Sequence, residues 1–156
     1  DLQDPYGKRF WPKFKGRDGC RTPMPWTTGV NGGFSDARPW LPVAVEHRDM
    51  AVSLQDRDPG STLNFYRAFL AFRRRHPSLA KGALDVRRAD DAVLAMIRDG
   101  AGERLFCAFN LTDAAQRVSL PDGRWTILTD APFVHATEGN DIILPPWQAA
   151  FAAAGQ

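Results

Sequence analysis

The chain has 156 residues, 44% hydrophobic and 24% charged, the make-up of a soluble globular protein with room for one ordinary domain or two small ones. Twenty Lys and Arg against eighteen Asp and Glu leave a formal charge of +2, which provides no single-sign field to capture nucleic acid or acidic lipid, so neither is expected as a partner. The longest apolar runs, such as 92–97, fall far short of the roughly 18 residues of a spanning helix, and nothing at the start resembles a signal peptide; a cytoplasmic location is expected.

From Asp1 to about Pro59 no helical or strand period is sustained, yet this stretch holds seven of the twelve prolines together with Trp11, Trp26 and Trp40. It reads as a long, stiff, aromatic loop. Irregular segments of more than about 15 residues are rare in compact domains unless functional, and rings this frequent must pack on something, so a larger body is expected to cover them. The chain also begins without Met, which suggests a portion of a longer polypeptide.

A helix start follows at Asp58-Pro59-Gly60-Ser61, where Asp58 or Ser61 can cap free amides and Pro59 suits the first turn. At 100° per residue, Leu63, Phe65, Tyr66, Phe69, Leu70 and Phe72 fall within about half the circumference, so one face calls for deep burial. Arg73, Arg74, Arg75 and His76 then meet the negative end of the helix dipole, and Pro77 stops the helix. That basic cluster is a helix end rather than a nucleic-acid site, because no wider basic patch accompanies it.

From Lys81 onward short apolar strands alternate with turn residues, the pattern of an antiparallel β-domain. Seven strands are expected: Ala83–Arg88, Ala92–Arg98, Arg104–Asn110, Gln116–Leu120, Arg124–Thr129, Asp141–Leu144 and Trp147–Ala152. Asp99-Gly100-Ala101-Gly102 and Pro121-Asp122-Gly123 supply turns. Leu105, Cys107 and Phe109 alternate with Phe106 and Ala108, so both faces of that strand are apolar and it should lie centrally between two layers. The strand number suggests a small β-sandwich.

No complete active site is visible. His47, His76 and His135 are isolated and lack metal-ligand spacing, so no metal and no cofactor are expected. Cys20 and Cys107 are too far apart in sequence to suggest a disulfide framework and read as buried or semi-buried thiols. Asp90-Asp91 sits in a turn, where solvation accounts for it. The dense segment is different. Lys15 to Trp26, then Asn31-Gly32-Gly33-Phe34-Ser35 and Pro39-Trp40, place two arginines, a carboxylate, glycines and aromatic rings in one proline-stiffened loop. Guanidinium groups can bind vicinal sugar hydroxyls, and aromatic faces can stack on pyranose rings. On composition alone a structural loop, with Arg17, Asp18 and Arg21 as an internal salt-bridge knot, is favoured over a binding site.

The order Asp4-Pro5, GRDGCRTPMPW, NGGFS, PW, a capped helix ending in FRRRHP, and a terminal β-domain resembles the C-terminal portion of family 13 α-glucosidases and oligo-1,6-glucosidases. Their usual form is RDxxRTPMQW followed by NAGFS, so Pro25 stands for a glutamine and Gly32 for an alanine. The resemblance implies the tail of a (β/α)8 TIM barrel, residues 1–80, made of the long loop after strand eight and the last helix, Ser61–His76, with its apolar face against the barrel. An all-β antiparallel sandwich, domain C, follows at 81–156. It also implies a retaining hydrolase acting on glucosides or short oligosaccharides at chain ends, with Arg17 holding the terminal glucose. Asp18, Arg21, Trp26 and Phe34 would shape the loop near the pocket. The catalytic carboxylates would follow barrel strands four, five and seven, so none is assigned in this chain, and the N-terminal barrel portion is the implied partner. Rival readings are a transglycosylating relative, such as a trehalose synthase or sucrose isomerase, a non-catalytic ectodomain, and a free-standing carbohydrate-binding module.

Overall fold

The structure is a computed structural model and describes residues 2–155. The chain packs as two compact units, Asp1–Phe65 and Tyr66–Gln156, which part inside a helix.

The first unit has no β-strand among its described residues. It consists of a short helix α1 (Pro5–Phe10), three 3-10 turns (Asp18–Cys20, Val30–Gly33 and Val45–Met50), helix α2 (Val52–Gln55) and the first turn of helix α3 (Thr62–Arg75). Without strands, the backbone groups of this unit pair mostly within short turns, and side chains add to the pairing between segments. Gln55 is the clearest case: its Oε1 accepts from Leu63 N at 3.1 Å, and its carbonyl accepts from Ser61 Oγ at 2.7 Å and Asn64 Nδ2 at 2.9 Å. Ser61 is the helix cap, its Oγ accepting from Asn64 N at 3.2 Å. Pro59 stays in the turn before the helix rather than entering its first turn. Tyr6, Trp11, Trp26, Phe34 and Trp40 are all exposed within this chain.

The second unit is a two-layer sandwich. Its strands are β1 (Ala83–Ala89), β2 (Val93–Gly100), β3 (Glu103–Asn110), β4 (Gln116–Ser119), β5 (Trp125–Ile127), β6 (Ala136–Glu138), β7 (Asp141–Leu144) and β8 (Ala149–Ala154), preceded by the remainder of α3 and by the short helix α4 (Ser78–Lys81). They form one sheet in the order β1-β2-β3-β8-β5 and a second in the order β4-β7-β6, with every pairing antiparallel. Seven of the eight strands overlap those expected. β6 was not expected, because its Ala136-Thr137-Glu138 is short, exposed and without apolar alternation. β8 begins two residues later than expected: Trp147 adopts φ +59 in the turn that precedes it, which extended backbone excludes.

As its two apolar faces require, β3 is central, between β2 and β8. Phe106 and Ala108 join Val93, Ala95, Ile97, Val118, Ile142, Leu144, Ala150 and Ala152 in a core between the sheets. Leu105 and Cys107 point the other way, into a cluster with Phe72, Ala149 and Phe151. This revises the expectation for α3, whose apolar face was to lie against the barrel. Phe72 and Phe69 pack on the chain's own sheet, with ring centroids 4.9 Å and 6.1 Å from Phe151, and Phe69 meets Phe133 edge-on at 5.5 Å. The helix carries two apolar strips, and the sheet covers one of them. Tyr66 and Leu70, on the other, stay exposed.

Polar side chains close the edges of the sandwich. The helix end is held by Arg75, which pairs with Asp130 at 2.7 Å, and by His76, whose Nδ1 lies 3.0 Å from Glu103 Oε2. Asp90 takes two backbone amides, Ala92 N at 2.9 Å and Val93 N at 2.7 Å, and the Arg88 guanidinium at 2.6 Å. Arg88 first, and then these amides, hold the Asp90 carboxyl down at about 2. A carboxyl depressed in the folded state contributes stability above its unfolded pKa and loses it as pH falls through the folded one. Asp90 is therefore expected to contribute to acid unfolding between about pH 4 and about pH 2. Acid titration followed by circular dichroism checks this: Asp90→Asn should flatten the stability change in that window and leave the curve above pH 5 parallel to wild type.

Candidate functional site

The arginine-bearing loop of the first unit is organised by two buried carboxylates, and their partners differ from the expected knot. Asp18 does not pair with Arg17 or Arg21. Its carboxylate accepts from two backbone amides across the loop, Gln3 N at 2.6 Å and Asp4 N at 3.0 and 3.1 Å. Asp4 returns the contact. Its Oδ1 caps α1 through Tyr6 N at 2.9 Å, and its Oδ2 accepts from Arg17 N at 2.9 Å. The same Oδ2 lies 3.7 Å from Arg17 Nε and 3.9 Å from Arg21 Nη1. The salt-bridge expectation is corrected on its acid: backbone amides cluster at the turn around Gln3 and Asp4, and Asp18 is the carboxylate that reaches them.

Glycines permit this clasp. Gly16 sits at φ +75, and a Cβ there would lie 2.8 Å from Asp4 Cβ. Gly7 packs as closely on the other side, where a Cβ would meet the Lys15 carbonyl oxygen at 2.6 Å. Only a chain without side chains at both points brings Asp4 and Arg17 into hydrogen-bonding range.

The Asp4 carboxyl is held below the usual carboxylate range, chiefly by the Arg17 amide, then by the Tyr6 amide and the two guanidiniums, against the opposing effect of burial. The guanidiniums themselves face outward, with side chains 64% exposed at Arg17 and 43% at Arg21 against 3% at Asp4. Ion pairs of that length at that exposure add little stability. What the arrangement provides is two cationic hydrogen-bond donors on a rigid base. Arg21, expected only to shape the loop, is placed much as Arg17 is.

Trp26 and Phe34 sit on the adjoining turn and are half-exposed. The Gly32 carbonyl accepts from both Trp26 N at 2.7 Å and Thr27 N at 2.9 Å, and Asn31, at φ +50, donates its amide to the carbonyls of Ser35 and Ala37 at 2.9 and 3.0 Å. Gly32 has φ +64, and a Cβ there would stand 3.1 Å from Pro25 Cα. The two departures from the family's usual loop therefore face each other across the turn. A cleft of about 600 Å³ opens nearby, lined by Leu2, Gln3, Asn31, Arg38, Pro39, Trp40, Pro42, Val43 and Arg48. Arg17 and Arg21 do not line it.

Asp4 is the residue that sequence reasoning missed. The signal was present, since Asp-Pro opening a helix is a capping signature, but its pairing with Arg17, thirteen residues on, is tertiary. The histidines stay apart, and among the described residues no group of three or more His, Cys, Asp or Glu could hold a metal ion. Cys20, expected at least half-buried, is exposed, while Cys107 is buried and its thiol is pushed up to about 12 by desolvation.

Residues 3–82 match the family described as "Alpha amylase, catalytic domain", and residues 90–152 match "D-apionate lactonase, C-terminal immunoglobulin-like domain". A probable α-glucosidase of Rhizobium meliloti is 47% identical over 152 residues, covering 97% of this chain and 28% of its own length. The trehalose synthase/amylase TreS of Mycobacterium tuberculosis is 38% identical over 124 residues, 72% of this chain and 21% of its own. Among solved structures, the α-glucosyl transfer enzyme XgtA superposes with a TM-score of 0.88 at 42% identity, over 99% of this chain and 29% of that one. The chain thus spans less than a third of the length of the curated relatives it matches.

Proposed function

Because this chain belongs to the α-amylase family, glycoside hydrolase family 13, we propose that it is the C-terminal part of an exo-acting, retaining α-glucosidase. It removes terminal α-linked glucose from oligosaccharides or α-glucosides and supplies one side of the glucose pocket. The observation that carries the reading is the pair of outward guanidiniums, Arg17 and Arg21, on a base fixed by the buried Asp4 and Asp18. Neutral sugar hydroxyls are bound well by planar donors held rigidly, because the entropy of ordering them has already been met. Half-exposed Trp26 and Phe34, on the turn that follows in sequence, support the same reading, as apolar faces open to a ligand.

Retaining hydrolysis needs two carboxylates about 5 Å apart, one attacking the anomeric carbon and the other acting as acid and then base. These belong to the N-terminal barrel portion, which also covers the exposed rings of the first unit. The 156-residue chain alone is therefore expected to release no p-nitrophenol from p-nitrophenyl α-glucoside, whereas the complete protein releases it. In the complete protein, Arg17→Ala is expected to raise KM by about tenfold or more, the loss of a charged hydrogen bond worth roughly 1.5–3 kcal/mol. An unchanged KM and kcat would remove Arg17 from the pocket. Proton NMR of the first-formed glucose should show the α-anomer.

A second reading, transfer of the glucosyl unit to another sugar, is supported by the likeness to XgtA and to TreS. Chromatography of the products from maltose separates the two: free glucose alone marks hydrolysis, and a new disaccharide or trisaccharide marks transfer.

A further inference from the structure

We infer that Asp4 is the positioning residue of the guanidinium pair, holding Arg17 and Arg21 in the orientation in which they meet the sugar; this rests on the proposed glucose-pocket reading of the loop. Carboxylates are seldom buried without a reason, and capping the six-residue helix α1 uses only one oxygen of Asp4. Asp4 is 2% exposed and has a second oxygen, which it commits to the Arg17 amide at 2.9 Å while facing both guanidiniums. Asp18, the next residue, holds Asp4 N with its carboxylate, so the chain at Arg17 and Asp18 is tied to Asp4 at two points. Nε is the guanidinium nitrogen of Arg17 that pairs with Asp4, at 3.7 Å, so the two terminal nitrogens are the ones this inference assigns to a ligand. At Arg21 one terminal nitrogen faces Asp4 at 3.9 Å, leaving the other nitrogens available. Gly16 seals the arrangement, since with a Cβ 2.8 Å from that of Asp4 no other residue allows the approach.

The test uses the complete protein that contains this chain, assayed on p-nitrophenyl α-glucoside. Asp4→Asn keeps the shape and one acceptor for the Tyr6 amide, but it loses the charge and can turn N–H groups toward the Arg17 amide and the guanidiniums. It is expected to raise KM by about tenfold, the cost of one charged hydrogen bond, with kcat changed far less. A structural role alone would also lower activity, so the deciding readout is a pair of double-mutant cycles, Asp4→Asn with Arg17→Ala and with Arg21→Ala. If Asp4 acts through these arginines, at least one double variant has the KM of its arginine single variant. Full multiplication of the two effects in both cycles overturns the inference. The underlying reading fails separately: if neither Arg17→Ala nor Arg21→Ala moves KM or kcat, the arginines do not meet the sugar, and the inference falls with it. Should Asp4→Asn not fold, Asp4→Ser retains a capping oxygen for α1 while removing the second oxygen, and the same cycles apply.

Discussion

Phe72→Ala is expected to destabilise the β-sandwich unit by about 3–5 kcal/mol, the range for removing a fully buried phenyl ring from a packed core. Phe72 is fully buried, with its ring centroid 4.9 Å from Phe151, 6.2 Å from Phe69 and 4.6 Å from His76. It anchors α3 to the sheet beside Leu105, Cys107 and Ala149. These neighbours sit on hydrogen-bonded strands and cannot collapse far into the vacated space, which places the cost in that range rather than below it. Urea unfolding of the chain measures it. The control lies on the same helix: Leu70→Ala, at an exposed position, should change stability by no more than about 0.5 kcal/mol. Equal losses from both substitutions would mean that the helix does not use the Phe72 face to meet the sheet.

Asn110→Asp is expected to be nearly as damaging, through polarity rather than volume. Asn110 is 3% exposed at the end of β3 and ties three chain segments together. Its Nδ2 donates to Ala114 O at 2.8 Å, Leu144 O at 3.1 Å and Pro145 O at 2.8 Å, and its Oδ1 accepts from Thr112 N at 2.9 Å and Thr112 Oγ1 at 2.8 Å. An aspartate is the same size and keeps the acceptor, but it turns a carboxylate oxygen toward those carbonyls and strands them. At about 1–3 kcal/mol for each buried group left unpaired, a loss of about 4 kcal/mol is expected at neutral pH. The sign of the pH dependence is diagnostic. A carboxylic acid at this position can donate one hydrogen bond and a carboxylate cannot, so the folded variant binds its proton more tightly than the unfolded chain. Stability relative to wild type should therefore rise as pH is lowered. A deficit that stays constant between pH 7 and pH 4 would show that the carbonyls find other donors.

Both substitutions lie where the sequence was easiest to read. The alternation Leu105, Cys107, Phe109 against Phe106, Ala108 marks a strand with two buried faces, and these residues divide between the two clusters accordingly. The three arginines before Pro77 mark the end of α3, and the helix ends at Arg75. The candidate site was legible only in part. Two arginines, a carboxylate, glycines and aromatic rings mark out the loop by residue type, whereas the partner of each charge could not be read from spacing. Asp18, adjacent to Arg17, binds backbone amides instead, and the acid that faces both arginines is Asp4.

By itself the sequence determined the main element types: a proline-stiffened aromatic loop, one capped amphipathic helix and a run of short antiparallel strands, but not the short helices α1 and α2 within the loop or the strand β6. These follow from periodicity, capping and turn chemistry, which act over a few residues and are written into neighbouring positions. Only the tertiary structure decided that β8 enters the first sheet between β3 and β5, that Phe69 and Phe72 rather than Tyr66 and Leu70 meet that sheet, and that Asp4 reaches across to Arg17. Each of these is a choice among partners far apart in the chain, settled by close packing and by the need of buried polar groups for hydrogen bonds, and no local pattern encodes such a choice.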